Sequence, residues 1–170
     1  AFDLVERRAK RGVGIPDAEP RRVQRIGIVG AGLMARQLAL LALRRLEVPV
    51  VLRDLTHEQV EEAIAWIGSE LDDLVRRGRL GEGKARFLAG LVTGGTGWEV
   101  FAGCDLVLEA VFEEMSVKKE VFAELEKVVS PETILATNTS SLSVTEMGAD
   151  LEHPERVVGM HFFNPVAVLP

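Results

Sequence analysis

The chain has 170 residues, 47% of them hydrophobic and 27% charged, and a formal net charge of −6. That profile fits one globular domain with a core, and no run reaches the roughly 18 apolar residues that a membrane-spanning helix needs. The acidic balance argues against nucleic acid as the main ligand, and a single cysteine, Cys104, excludes an internal disulfide and fits a reducing compartment. The opening AFDLVERRAKRG has neither an apolar signal core nor a small-residue cleavage site, so the chain reads as cytoplasmic, with no membrane partner.

In chain order, residues 1–24 come first. Arg7, Arg8, Lys10 and Arg11 precede Gly12, Gly14, Pro16 and Pro20, the pattern of a frayed helix followed by a linker. Residues 25–170 then read as one domain. The chain begins at Ala1 and stops at Pro170 directly after an apolar run, so it reads as a piece of a longer protein.

From Arg25 short β-rich runs alternate with helical periodicity. The expected strands are 25–30, 48–54, 91–95, 105–111, 133–140 and 156–163, each nearly all apolar, as expected where both faces of a strand are covered. One helix is expected from Leu33. A second spans His57 to Arg77, with Val60, Ile64, Ile67, Leu71 and Leu74 along one face. A third spans Ser116 to Val129, with Val117, Val121, Leu125 and Val128 inward and Ser116 as its cap. The fold class is therefore α/β, a Rossmann-like doubly wound, mostly parallel sheet with helices on both faces.

The stretch RIGIVGAGLMARQLALL leaves a strand through Gly30-Ala31-Gly32 and turns at once into a helix. This matches the fingerprint G-x-G-x-x-(G/A): Gly30 permits the tight turn, and Gly32 lets backbone approach a pyrophosphate. The free N–H groups and positive dipole end of the helix starting at Leu33 and Met34 would face the phosphates. Six residues alone also fit a tight turn in an unrelated α/β protein. Asp54, at the end of the second strand and 24 positions after Gly30, supplies the context: a carboxylate there accepts from the adenosine ribose and repels a 2′-phosphate. NAD is the expected cofactor, with Arg53 next door as the feature that keeps NADP open. Thr56 stands ready to cap the following helix in place of Asp54. Ala35 takes the third fingerprint position, which governs packing. Arg36, in the first helical turn, either pairs with the pyrophosphate or points to solvent.

Further on stand DLVLEAVFE (105–113), ATNTSSLS (136–143) and GMHFFNP (159–165). With the glycine loop, in this order and spacing over about residues 24–170, they resemble the NAD-binding domain of the L-3-hydroxyacyl-CoA dehydrogenases of fatty-acid β-oxidation. The resemblance implies that His161 is the base that takes the hydroxyl proton of the alcohol, a task suited to a group titrating near neutrality. It implies that Ser140 hydrogen-bonds the reacting oxygen. Glu113 and Lys118 then fall near the nicotinamide end of the cofactor, Asn138 and Asn164 line the reaction site, and Glu109 is a strand-end residue close by. The basic cluster at Arg76, Arg77 and Arg79 falls where the family meets acyl-CoA phosphates, although a basic helix end also suits the helix dipole. No metal site is expected.

The same resemblance implies a substrate, acyl-CoA, and a parent protein that is a homo-oligomer or part of a multienzyme complex. It places beyond Pro170 a glutamate that orients the base, and a helical second domain. This chain by itself is therefore expected to bind cofactor and to turn over poorly. Two readings stay open beside it: a dehydrogenase of 3-hydroxybutyryl-CoA or another 3-hydroxy acid, and a non-catalytic NAD-responsive module.

Overall fold

A computed structural model of the chain describes residues 19 and 21–166. Most of the expected linker and frayed helix over 1–24 lies outside the described residues. Within the described part, the backbone amides of Gln24 and Arg25 both donate to the Asp105 carboxylate, at 2.7 and 2.9 Å, which fixes the approach to the first strand.

Six parallel strands form one sheet: β1 (Ile26–Val29), β2 (Val50–Arg53), β3 (Val92–Gly95), β4 (Leu106–Glu109), β5 (Ile134–Thr137) and β6 (Val157–Gly159). Their order is β3-β2-β1-β4-β5-β6, the expected doubly wound sheet. Ile26 is registered between Val50 and Leu106, and Val29 between Arg53 and Glu109, so Gly30, Asp54 and Ala110 all follow strand ends at one edge of the sheet. The direction of winding reverses between β1 and β4, which leaves a crevice at their carboxyl ends.

The helices are α1 (Leu33–Leu46), α2 (His57–Arg76), α3 (Glu82–Ala89), α4 (Met115–Val128) and a short α5 (Val144–Gly148). Helix α2 forms where periodicity puts Val60, Ile67 and Leu71 on a buried stripe, with Ile64 packed beside it. Thr56 caps it by accepting from the Gln59 amide, so Asp54 is not the cap. One core cluster joins β1 and β2 to α1 and α2 around Ile28, Leu43, Leu52 and Ile67. The other joins β4 and β5 to α4 around Phe101, Phe122, Leu125 and Leu135. These two cores cover opposite faces of the sheet, Ile28, Leu52 and Leu108 on one and Val29, Val51 and Val107 on the other.

Three expectations change. Ser116 is not the cap of α4: the helix starts one residue earlier, Glu114 holds the cap position, and the Ser116 hydroxyl turns back to donate to the Glu114 carboxylate at 2.7 Å. The last strand is much shorter than 156–163. The Met160 amide makes one more bond to Thr137, and the Phe162 amide then leaves the ladder for the Asn138 side chain. Covered faces belong to the central strands only. β1 is buried throughout, whereas β3 and β6, at the margins, expose half or more of their residues. Helices α3 and α5 escaped the sequence reading, being eight and five residues long, too short for periodicity to declare.

Candidate functional site

The crevice begins at Gly30. Its φ of +106° is open to glycine, and a Cβ there would lie 2.9 Å from the Ala110 carbonyl oxygen, so a side chain is excluded by conformation and by space together. Gly32 differs. Its backbone is extended, it makes no side-chain cap to α1, and a Cβ built on it would meet nothing within 4 Å. Open space therefore lies in front of a 14-residue helix whose first amides have no intrahelical acceptor, the Arg36 amide being the one that closes the first turn on Gly32. No acidic side chain occupies that turn. Such a bare, positive helix start with room before it fits the pyrophosphate of a dinucleotide. Ala35 is fully buried, as its packing role requires, while Leu33 and Met34 border the opening, Leu33 exposed and Met34 half-buried.

Asp54 faces the same loop. One carboxylate oxygen accepts from the Ala31 amide at 2.6 Å and the other from Leu55 at 2.7 Å, so the side chain braces the glycine turn while keeping lone pairs for a ligand. Neither arginine nearby behaves as the sequence alone allowed. Arg36 is half-buried, its guanidinium 4.8 Å from the centre of the Trp66 ring on α2. Arg53 stacks on Trp98 at 4.0 Å and donates to the Thr96 carbonyl at 2.9 Å. Both partners are tryptophans far along the chain, a pairing that local sequence cannot announce.

Below the crevice sits a buried ionic cluster. Glu109 ends β4 with no exposure, and Lys118, on α4, is 1% exposed; its ammonium reaches both Glu109 oxygens at 2.7 and 2.8 Å. The Thr137 hydroxyl and the Val111 amide complete the carboxylate's bonds, at 2.7 Å each. A buried pair so fully satisfied is tolerable where an unpaired charge would not be. The ammonium also lies 3.3 Å from Glu113, which is 40% exposed.

Glu113 in turn faces the loop after β5. One of its oxygens accepts from the Thr139 hydroxyl at 2.5 Å, the Ser140 amide at 3.0 Å and the Ser141 hydroxyl at 3.4 Å. Partial burial pushes the Glu113 pKa up, but the Thr139 hydroxyl, the Ser140 amide and Lys118 together outweigh it and hold the group at about 2. Thr139, which the sequence reading passed over, organises the loop further by accepting from Leu142 at 2.9 Å. The signal for the whole cluster was a glutamate closing an otherwise apolar strand, since such a residue must find a buried partner.

Asn138 and His161 follow the carboxyl ends of adjoining strands, β5 and β6. The Asn138 side-chain oxygen accepts from the Phe162 amide at 2.8 Å, and Met160 bonds to Thr137, so His161 is held between two ties to the end of β5. Ser140 lies two residues beyond Asn138 on that same segment, and both Ser140 and His161 are exposed. The His161 ring stands edge-on to Phe163, 4.7 Å between centres. Asn164 is exposed on the next turn. Arg77 is elsewhere: it caps the far end of a 20-residue helix and pairs with Asp73 at 2.5 Å. At 1.5 Å per residue that helix carries it about 30 Å along α2 from Thr56.

Among the described residues there is no cluster of three or more potential metal ligands, and no helix is long and apolar enough to cross a membrane. The family model described as the NAD binding domain of 3-hydroxyacyl-CoA dehydrogenase matches residues 25–170. The chain is 31% identical over 161 residues to the fatty acid oxidation complex subunit alpha of Idiomarina loihiensis, covering 95% of this chain and 23% of that protein. Among solved structures it is similar to FadB2 of M. tuberculosis, with 38% identity and a TM-score of 0.83 over 88% of this chain and 53% of that one. A 3-hydroxybutyryl-CoA dehydrogenase from Escherichia coli gives 38% identity and a TM-score of 0.84, over 88% of this chain and 31% of that one. The chain thus spans from under a quarter to about half of these relatives.

Proposed function

The chain belongs to the family of 3-hydroxyacyl-CoA dehydrogenase NAD-binding domains, and from that premise we propose that it carries the dinucleotide and the proton-handling groups for oxidation of an L-3-hydroxyacyl-CoA to the 3-oxoacyl-CoA in fatty-acid oxidation. NAD supplies the hydride acceptor when bound. Gly30 and Gly32 shape the loop, the amides from Gly32 through Met34 receive the pyrophosphate, and Asp54 receives the adenosine ribose. His161 takes the hydroxyl proton of the substrate, and the Ser140 hydroxyl holds the oxygen as it passes from alcohol to carbonyl. Asn138 ties the segment after β6 that carries His161, and Asn164 lines the approach. Glu113 borders the nicotinamide end.

The observation that carries this reading is the pair of ties, Met160 to Thr137 and Phe162 to Asn138, which hold His161 against the segment leading to Ser140 at the same sheet edge as the glycine loop. NAD is favoured over NADP because Asp54 faces the loop while Arg53 is committed to Trp98 and Thr96. The complete polypeptide works in the cytoplasm as a homo-oligomer or a subunit of a multienzyme complex, its substrate an acyl-CoA. This domain alone binds NAD and turns over poorly.

The test is His161→Ala in the complete polypeptide, followed by NADH absorbance with 3-hydroxybutyryl-CoA and longer substrates. Oxidation should fall by at least about 100-fold, as expected for loss of a positioned base, with NAD affinity retained. Unchanged turnover would remove His161 from the chemistry. NAD binding with no oxidation of any 3-hydroxyacyl-CoA by the unaltered protein would favour a non-catalytic NAD-responsive domain.

A further inference from the structure

The resemblance puts Lys118 beside the cofactor, yet the side chain is 1% exposed and its ammonium is spent on carboxylates. We infer that Lys118 is a positioning residue: anchored by Glu109, it fixes the Glu113 carboxylate, and Glu113 fixes the backbone of the loop bearing Ser140. This rests on the role proposed above for Ser140.

The geometry runs in one direction. Glu109 accepts four hydrogen bonds from three partners, two from Lys118 and one each from Thr137 and Val111, which anchors the ammonium. The charges are two carboxylates to one ammonium, which leaves Glu113 attracted to Lys118 and free of a rival cation within the cluster. Glu113 divides its two oxygens. Oε2 faces Lys118, while Oε1 faces the Thr139 hydroxyl, the Ser140 amide and the Ser141 hydroxyl. A carboxylate clamped on one side presents a fixed acceptor on the other, and a fixed acceptor restricts a loop that is otherwise an exposed turn. Removing the ammonium leaves Glu113 free to swing to solvent, and the Ser140 backbone loses its anchor.

The experiment compares the complete polypeptide with its E109Q/K118M double variant, which replaces the buried ion pair by neutral side chains of similar length so that no charge is stranded. Amide hydrogen exchange is read at Ser140–Leu142 without cofactor, NAD affinity by calorimetry, and kcat separately from KM. We expect exchange at those amides to rise about tenfold through added local opening, and kcat to fall about tenfold because a misplaced reaction group costs rate. NAD affinity should stay within about twofold, since a buried ammonium makes no direct contact to lose. A loss of NAD affinity with unchanged exchange would make Lys118 a direct ligand and overturn the inference, as would unchanged exchange together with unchanged kcat.

If the double variant does not fold, Glu113→Gln cuts the same attraction from its other end while keeping an oxygen toward the loop. Exchange at Ser140–Leu142 should then rise about threefold, a partial loosening, and no rise would sink the idea. A wild-type protein that oxidises no 3-hydroxyacyl-CoA would defeat the proposed function alone, because the exchange measurement needs no turnover.

Discussion

Single side chains carry the proposed chemistry, and their partners separate what the sequence disclosed from what it hid. Gly30 was legible because a fixed local geometry demands it, whereas Gly32 and Asp54 were read from the spacing of the fingerprint. Asp54 braces Ala31, a task that the spacing argument did not contain, beside the ribose contact proposed for it. Asp54→Ala should therefore weaken NAD by about 1–3 kcal/mol, the cost of an unmade bond to a charged group, and relax discrimination against NADP; parallel titrations with both dinucleotides would check this. Arg36 was illegible, because its partner Trp66 lies thirty positions on and only the packing of two helices brings them together. Glu113 offers a titration test. Its pKa lies near 2 in the folded protein against about 4.3 unfolded, so its stabilising contribution is complete above about pH 5 and fades as pH falls toward 2. Glu113→Gln should accordingly be less stable than wild type at neutral pH, with the gap closing on acidification, as followed by denaturant midpoints.

Elements were legible where the pattern was long. The 20-residue α2 came within one residue of its expected end because five apolar positions and a threonine cap agree. Strand cores were found and strand ends overrun, since Ala110 and Met160 each make one further bond to the neighbouring strand and the apolar residues after them, such as Phe112 and Phe163, continue into exposed loops. Where a helix meets the sheet, contact distance decides. A Cβ on Gly94 of β3 would stand 2.4 Å from Val60 Cγ1 and 2.8 Å from the Leu52 carbonyl oxygen, the one being α2 and the other β2. Gly94→Ala should thus cost about 1–3 kcal/mol through overpacking, seen as a lowered urea midpoint with unchanged slope.

At the scale of the molecule, winding order puts the groups proposed to face the ligand at the carboxyl ends of the strands and leaves the other end to structure. Cys104 lies at that other end, 3% exposed just before β4, and burial pushes its thiol pKa up. A thiol reagent should therefore label native protein far more slowly than unfolded protein, and the labelling rate should track global unfolding as urea is raised. Rapid labelling of the folded protein would contradict this core placement. The winding also fixes β3 as an outer strand, four residues long and ending in Gly94-Gly95. An outer strand invites another chain to add itself by main-chain pairing, and such growth is favoured by long margins with interlocking side chains. Here a newcomer would find two positions with nothing to interlock, so the glycines, of which Gly94 lets α2 settle, also make this border a poor seed for fibrils.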